Sequence, residues 1–137
     1  MPQRIQRKRT KGWSTPLCSC GCGRKAIYVG RPSRWGNPFA IGSNASELFV
    51  HDGRRVWWST PRYDSALMGA HIKAVELFEL HIGPMGNYEY DDDTLAALHS
   101  ELRGHDLMCW CPLEDEHGNR VPCHADVLLE LSNCGAT

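Results

Sequence analysis

The sequence lacks any apolar run of the roughly 20 residues that a helix needs to span a bilayer. No hydrophobic stretch follows the charged N-terminal residues, so the pattern of a secretion signal is missing as well. Internal repeats are absent, and so are the Walker A and GxGxxG phosphate-binding loops. We therefore expect a cytoplasmic protein that is neither a membrane protein nor a P-loop or Rossmann nucleotide-binding protein.

The length of the chain, 137 residues, is close to the commonest size of one domain. Apolar residues make up 42% and charged residues 23%, which is the balance of a folded globular protein. We predict a single domain over residues 1–137, with a cysteine-rich loop inserted at about 14–25. Glycines and a shortage of apolar residues make this insertion typical of a loop or a metal knuckle.

Acidic residues are missing from the first 34 positions, which hold nine of the fifteen Lys and Arg residues. A basic end on an acidic body is typical of a chain that contacts phosphates, so we predict a nucleic acid or nucleotide as partner. A solvated basic strand edge would produce the same pattern. The predicted nucleic-acid contacts are four of these bases: Arg7, Lys8, Arg9 and Lys11.

Short apolar runs predict the strands. The basic segment 3–9 fits an edge strand, and 26–29 fits a short buried strand. The segment 107–111 is apolar throughout, as expected of a strand that is covered on both faces. Asp52 and Gly53 lie between two apolar runs and predict a β-hairpin.

Helices are predicted between these strands. Apolar residues from Leu67 to Phe78 recur at helical spacing over 65–80. A second helix is expected from about Asp91 to Gly104, and a third after Pro122. The predicted fold class is therefore α/β: a small layered sheet with helices, with mostly parallel core strands plus a β-hairpin.

Seven cysteines form an odd set, and without a secretion signal they are better interpreted as thiols or metal ligands than as disulfides. Cys109 and Cys111 lie two apart on a predicted strand, so both thiols project from one face. Cys123 and His124 follow at the start of the last helix. These four residues could bind tetrahedral zinc, although Cys109 could equally be a buried core thiol.

The cysteine-rich loop predicts a second metal site. Its thiols, Cys18, Cys20 and Cys22, lie in a segment that has no other reason to be ordered, and Cys134 is a candidate fourth ligand. We therefore expect one zinc ion, and a second if this loop also binds one.

The loop at 31–39 leaves the end of the predicted strand 26–29. Because ligands bind beyond the carboxyl ends of strands in open α/β sheets, we expect this loop to share a crevice with 107–111. The predicted ligand-binding residues are two arginines for an anion, an indole for base stacking and an amide: Arg31, Arg34, Trp35 and Asn37. The alternative pairs Arg31 with Asp126 and buries Trp35 in the core.

The predicted catalytic residues are Cys123, His124 and Asp126. Zinc could activate a water or a thiolate while His124 or Asp126 transfers a proton, or Cys123 could be a nucleophile without metal. The predicted function is that of a metal-binding protein acting on a nucleotide, nucleobase or nucleic acid, as in base modification or nucleotide processing. The alternatives are a non-catalytic zinc module that binds nucleic acid, and a host-interaction protein that docks through Trp57 and Trp58.

Two motifs resemble the domain-of-unknown-function family 4326 of phage and bacterial genomes: GRPSRWGNPF at 30–39, and LMCWCP with PCHADVL in 107–128. The resemblance implies a phage or prophage setting, and hence the cytoplasm of an infected or prophage-bearing bacterium. It also implies one site built from both motifs, and names no reaction. Family members are expected to lack cysteines before the predicted strand at 26–29, which contains Tyr28. The cysteine-rich loop at 18–22 is therefore interpreted as an insertion.

Overall fold

The computed structural model describes residues 2–19, 21–31, 33, 35–63, 65–82 and 96–133. Its regular elements are the strands β1 (Arg4–Gln6), β2 (Ile27–Tyr28), β3 (Ala40–Ser43), β4 (Glu47–His51), β5 (Val56–Pro61) and β6 (Leu107–Cys109), and the helices α1 (Ala66–Ile82) and α2 (His124–Asn133). One turn of π-helix, Leu98–Leu102, precedes β6. The predicted site residues Cys20, Arg34 and Cys134, and the predicted helix start near Asp91, lie outside the described residues.

Strand β6 is the middle strand of a three-stranded parallel sheet and lies between β1 and β2. Its register places Met108 beside Ile5 of β1 and beside Tyr28 of β2. All three residues of β6 are buried, as the continuous apolar run predicted. The expected edge strand near the N-terminus and the doubly covered strand are therefore both confirmed.

A second, antiparallel sheet contains β3, β4 and β5 in that order. The predicted hairpin is its β4–β5 pair, in which the Asp52 carboxylate accepts hydrogen bonds from the amides of Arg54 (2.8 Å) and Arg55 (2.9 Å). Gly53 has a φ of +88°, a backbone conformation that favours glycine. The observed mixture of a parallel sheet, an antiparallel sheet and helices confirms the α/β class.

Strand β3 was missed because Gly42 interrupts its apolar pattern. The ring of Phe49 on β4 covers this glycine, and a Cβ there would lie 2.5 Å from the ring. The predicted docking surface of Trp57 and Trp58 also needs correction. Trp58 packs against the smaller core around Val50, and only Trp57 of the two is exposed. Adjacent strand residues point to opposite faces, so the two indoles cannot share one surface.

Helix α1 packs between the antiparallel sheet and helix α2. Ala70 and Ala74 contact the antiparallel sheet through a small core around Val50, while Phe78 belongs to the larger core beneath the parallel sheet. Leu67, which we expected on the apolar face, is exposed because it lies outside the row of small residues that faces the sheet. Within the described residues, no helix is both long enough and apolar enough to cross a membrane.

The larger core joins α2 to the parallel sheet. Leu98 and Leu102 of the π-helical turn are fully buried, and Leu128 of α2 packs with them. Gly104, with a φ of +80°, ends this segment where the sequence predicted a helix stop. The chain then enters β6, which brings Cys109 to the N-terminus of α2.

Candidate metal centres

A cavity of about 300 Å³ lies beyond the carboxyl ends of β2 and β6. Because these strands are parallel neighbours, the 31–39 loop and the segment after β6 meet there, as predicted. Arg31 and Asn37 line one part of the wall, and Cys109 and Cys123 line another. His71 of α1 also lines the cavity. Sequence reasoning missed it, since a histidine on a helix carries no local site signal.

The thiol–histidine cluster consists of Cys109, Cys123 and His124, all of them buried. The sulfurs of Cys109 and Cys123 are 2.9 Å apart, and the Cys123 sulfur lies 3.5 Å from Nδ1 of His124. All pairs of candidate ligand atoms in this cluster lie within 4.8 Å of one another. The cluster could therefore hold a metal ion, and these three predicted ligands do converge.

His124 is oriented as a metal ligand requires. Its Nε2 lies 2.7 Å from the carbonyl oxygen of Val29, and since a carbonyl only accepts, Nε2 carries the hydrogen. The lone pair of Nδ1 is then directed to the Cys123 sulfur. Burial lowers the pKa of His124, which favours the neutral imidazole that binds metals.

Cys111, the fourth predicted ligand, is half-buried beside this cluster. Its amide donates to the Cys109 sulfur at 3.2 Å. Interaction with the Cys109 and Cys123 thiols lowers the pKa of Cys111, and interaction with Cys111 raises the pKa of Cys109 to about 11. The neighbouring thiols Cys109 and Cys111 raise the pKa of Cys123. A bound cation would favour the thiolate form of all three.

Asp126 holds Cys123 at the start of α2. Its Oδ2 accepts from the Cys123 amide at 3.1 Å, which is the reach-back contact of a helix capping box. The same carboxylate binds Arg4 at 2.9 Å and Arg120 at 2.8 Å. The alternative that paired Asp126 with Arg31 is therefore wrong, because the edge strand β1 brings Arg4 to this helix end. The catalytic role of Asp126 stays a prediction.

The predicted ligand-binding residues differ in what they contact. Trp35 is 6% exposed and belongs to the larger core, so the interpretation that buried it is correct and its ring is not a stacking surface. Asn37 uses its amide within the fold, donating to the Ala74 carbonyl at 3.2 Å and accepting from the Phe39 amide at 2.8 Å. The loop is thereby fastened to α1.

Arg31 is exposed and lines the cavity. Its backbone is held in place by two neighbours. The Tyr28 hydroxyl donates to the Arg31 carbonyl at 2.6 Å, and a Cβ on Gly36 would lie 3.2 Å from the Arg31 Cα. Gly36 therefore allows a close approach to Arg31 rather than to a ligand, and the guanidinium extends from a fixed backbone.

The loop cluster consists of Cys18, Cys22 and His105, and it could hold a second metal ion. Nδ1 of His105 lies 3.6 Å from the Cys18 sulfur and 3.9 Å from the Cys22 sulfur. The amide of Asp106 donates to the Cys18 sulfur at 3.3 Å. Two predicted ligands are therefore brought together by a histidine that sequence reasoning missed, because it is 83 residues from Cys22.

Asp106 fastens this loop to the parallel sheet. Its buried carboxylate accepts from the Ser19 amide at 2.8 Å, from the Ser19 hydroxyl at 2.7 Å and from the Gln3 amide at 3.0 Å. Burial alone would raise the pKa of Asp106, but the bonds from Ser19 and Gln3 outweigh it and lower that pKa. The carboxylate therefore stays ionised at neutral pH.

Asp106→Asn is expected to reduce the free energy of unfolding by about 1–3 kcal/mol, because the new amide group leaves a buried donor facing another donor. Urea unfolding at pH 7 measures this loss. Asp115→Asn is the matched control, since the Asp115 carboxylate also accepts from backbone amides but lies in an exposed loop. Equal losses in both variants would show that Asp106 has no special anchoring role.

Three of the four predicted nucleic-acid contacts, Arg7, Lys8 and Arg9, lie in one groove beside Trp110. The guanidinium groups of Arg7 and Arg9 lie 5.0 and 4.8 Å from the ring centre of Trp110. Lys8 and Lys11 are exposed, and Lys8 lies in the same groove as the two arginines. Lys11 is not part of that groove.

Together, fold and site define a small α/β protein with two Cys/His clusters, each of which could hold a metal ion. The chain belongs to the family described as domain of unknown function (DUF4326), which matches residues 5–134. This confirms the family that the two motifs indicated. No curated protein and no solved structure matches the chain.

Proposed function

We propose that the protein is a zinc-binding enzyme that acts on a nucleotide, nucleobase or nucleic acid. The observation that carries this proposal is the cavity that joins the thiol–histidine cluster to Arg31. Thiolate and imidazole ligands suit zinc better than they suit calcium or magnesium. The same chemistry makes zinc the proposed ion of the loop cluster. The proposed setting, the cytoplasm of a phage-infected or prophage-bearing bacterium, rests only on the family resemblance.

Three buried ligands beside a cavity favour a catalytic zinc rather than a structural one. Catalytic zinc sites have three protein ligands and keep one position open, whereas structural sites are closed by four. Cys111 does not belong to the set of residues whose ligand atoms all lie within 4.8 Å of one another. The fourth position is thus proposed to face the cavity, with Cys111 at its edge.

Zinc bound there would supply a Lewis acid that activates a water. The residues around it would bind and orient the substrate. Arg31 offers a planar guanidinium to an anionic group such as a phosphate. His71 is kept neutral because burial lowers its pKa, so the imidazole can accept a proton in the cavity.

A non-catalytic zinc module is the second candidate, because Cys111 is a further thiol beside Cys109, whose sulfur accepts from the Cys111 amide at 3.2 Å. With Cys111 as a fourth ligand, the site would be closed and structural. Such a module would still bind nucleic acid through its basic N-terminal segment.

Arg31→Lys is expected to leave the fold intact and to weaken ligand binding about 10- to 100-fold, because lysine cannot form the forked, charge-assisted bonds of a guanidinium. The zinc-loaded protein is titrated with a panel of nucleoside monophosphates and short oligonucleotides, and products are followed by mass spectrometry. Conversion that stops on chelation supports the enzyme, and no conversion of any member of the panel favours the non-catalytic module.

Arg24→Lys is the matched control, because Arg24 is an exposed arginine outside the cavity. Thermal melts of both variants show whether the fold is retained. A folded Arg31→Lys protein that binds as tightly as the control would remove Arg31 from the site.

A further inference from the structure

A basic groove of about 550 Å³ lies beside Trp110. Its lining combines positive charge with flat aromatic surface: Arg7, Lys8, Arg9, Lys25, Trp13 and Trp110. No carboxylate from the described part of the chain lines this groove, although the whole protein has a net charge of −1. Positive charge is therefore concentrated here, where it attracts an anionic polymer.

The guanidinium groups in the groove are held against aromatic rings. Arg7 lies 4.8 Å from the ring centre of Tyr28 and 5.0 Å from that of Trp110, and Arg9 lies 4.8 Å from Trp110. Trp110 is still 38% exposed. Arginine planes and exposed indoles are the surfaces on which unpaired bases stack, while the same arginines neutralise phosphates.

Trp110 also lines the cavity that contains the thiol–histidine cluster. The basic groove and the cavity therefore meet at one residue. A cavity of about 300 Å³ is large enough for a single nucleobase. Enzymes that act on a base inside a pocket need that base unpaired, either in a single strand or flipped from a duplex.

We propose that the basic groove binds single-stranded nucleic acid and presents one base to the cavity past Trp110. Lys8, Arg9 and Lys25 bind the phosphates of the strand. This inference rests on the proposed function and narrows its substrate from nucleotides in general to a single-stranded polymer.

The loop cluster supports one wall of this groove. Trp13 and Lys25 lie on either side of the loop, whose ends are joined by hydrogen bonds from the Ala26 amide to the Pro16 carbonyl (3.1 Å) and from the Cys18 amide to the Arg24 carbonyl (2.7 Å). A metal ion bound by Cys18 would stabilise that wall. A second metal would thus have a structural role in binding the strand.

The test measures the fluorescence anisotropy of labelled 12-residue oligonucleotides with the zinc-loaded full chain over a series of salt concentrations. The double variant Lys8→Glu with Arg9→Glu is expected to bind single strands at least about tenfold more weakly. The slope of the logarithm of the binding constant against the logarithm of the salt concentration should become shallower by about 1.4. Two phosphate contacts are lost, and each contributes about 0.7 to that slope for a single strand.

The matched control is Arg54→Glu with Arg55→Glu, which changes the net charge equally at the exposed β4–β5 turn. This control should bind within about twofold of the wild type, because its charges lie outside the groove. Single-stranded DNA, single-stranded RNA and a duplex of the same sequence are compared. Tighter binding of either single strand than of the duplex supports the proposal. Equal weakening by both double variants overturns it, and so does duplex binding as tight as single-strand binding.

The two proposals fail separately in this design. The groove proposal alone would be overturned if the protein converts free nucleotides but the Lys8→Glu with Arg9→Glu variant binds oligonucleotides as tightly as the wild type. The enzyme proposal alone would be overturned if the double variant weakens the binding of single strands but the protein converts no nucleotide or oligonucleotide.

Discussion

Cys123→Ser is expected to remove one metal ion per chain and to lower the melting temperature by more than about 10 °C. Cys123 lies at the centre of the thiol–histidine cluster, in contact with both the Cys109 sulfur and His124. A hydroxyl is a poor zinc ligand, and metal binding supplies several kcal/mol of folding free energy at sites that assemble on folding. Elemental analysis of protein purified without added metal, together with thermal melts, measures both effects.

Cys111→Ser is the control for this variant. If the site has three protein ligands, Cys111→Ser retains the ion and most of its stability. Loss of the ion from both variants would indicate a closed, four-ligand site and favour the non-catalytic module. Unchanged metal content and melting temperature in Cys123→Ser would instead show that these cysteines are ordinary buried thiols.

Arg4→Met is expected to reduce the free energy of unfolding by about 1–3 kcal/mol, because it removes the buried, charge-assisted hydrogen bonds of the Arg4 guanidinium, although Asp126 keeps Arg120 as a partner. The Arg4 side chain is 1% exposed and binds Asp126 at 2.9 Å. Its other terminal nitrogen lies 3.3 Å from the Pro112 carbonyl and 3.4 Å from that of Leu113. Methionine keeps the apolar stem, so the loss measured by urea unfolding reports the charge and its hydrogen bonds.

Arg120→Met tests the other arginine of the same carboxylate. The Arg120 side chain is 64% exposed, and exposed ion pairs contribute about 0–1 kcal/mol. If Arg120→Met reduces the free energy of unfolding as much as Arg4→Met does, the burial of Arg4 is not the reason for the strength of the Arg4–Asp126 ion pair. Because Asp126 also accepts from the Cys123 amide, Arg4→Met should weaken metal binding at the thiol–histidine cluster as well.

Local patterns in the sequence were sufficient for several elements of the fold. The turn at Asp52 and the apolar run of β6 are set by backbone preferences and burial within a few residues, so the hairpin and the central strand were predicted correctly. The convergence of Cys109 with Cys123 followed from strand alternation and the start of a helix. The same local reasoning placed Leu67 on a buried face, because periodicity alone does not show how wide the buried stripe is.

The sequence by itself thus determined the strands other than β3, the family motifs and the types of ligand that the candidate metal centres contain. Only the tertiary structure decided which charges and rings pair across the chain. Arg4 rather than Arg31 binds Asp126 because β1 lies beside β6, and His105 reaches Cys18 because the loop folds back on the start of β6. Trp35 is buried because the core reaches its loop. Such choices depend on strand order and packing between distant segments, which no local pattern encodes.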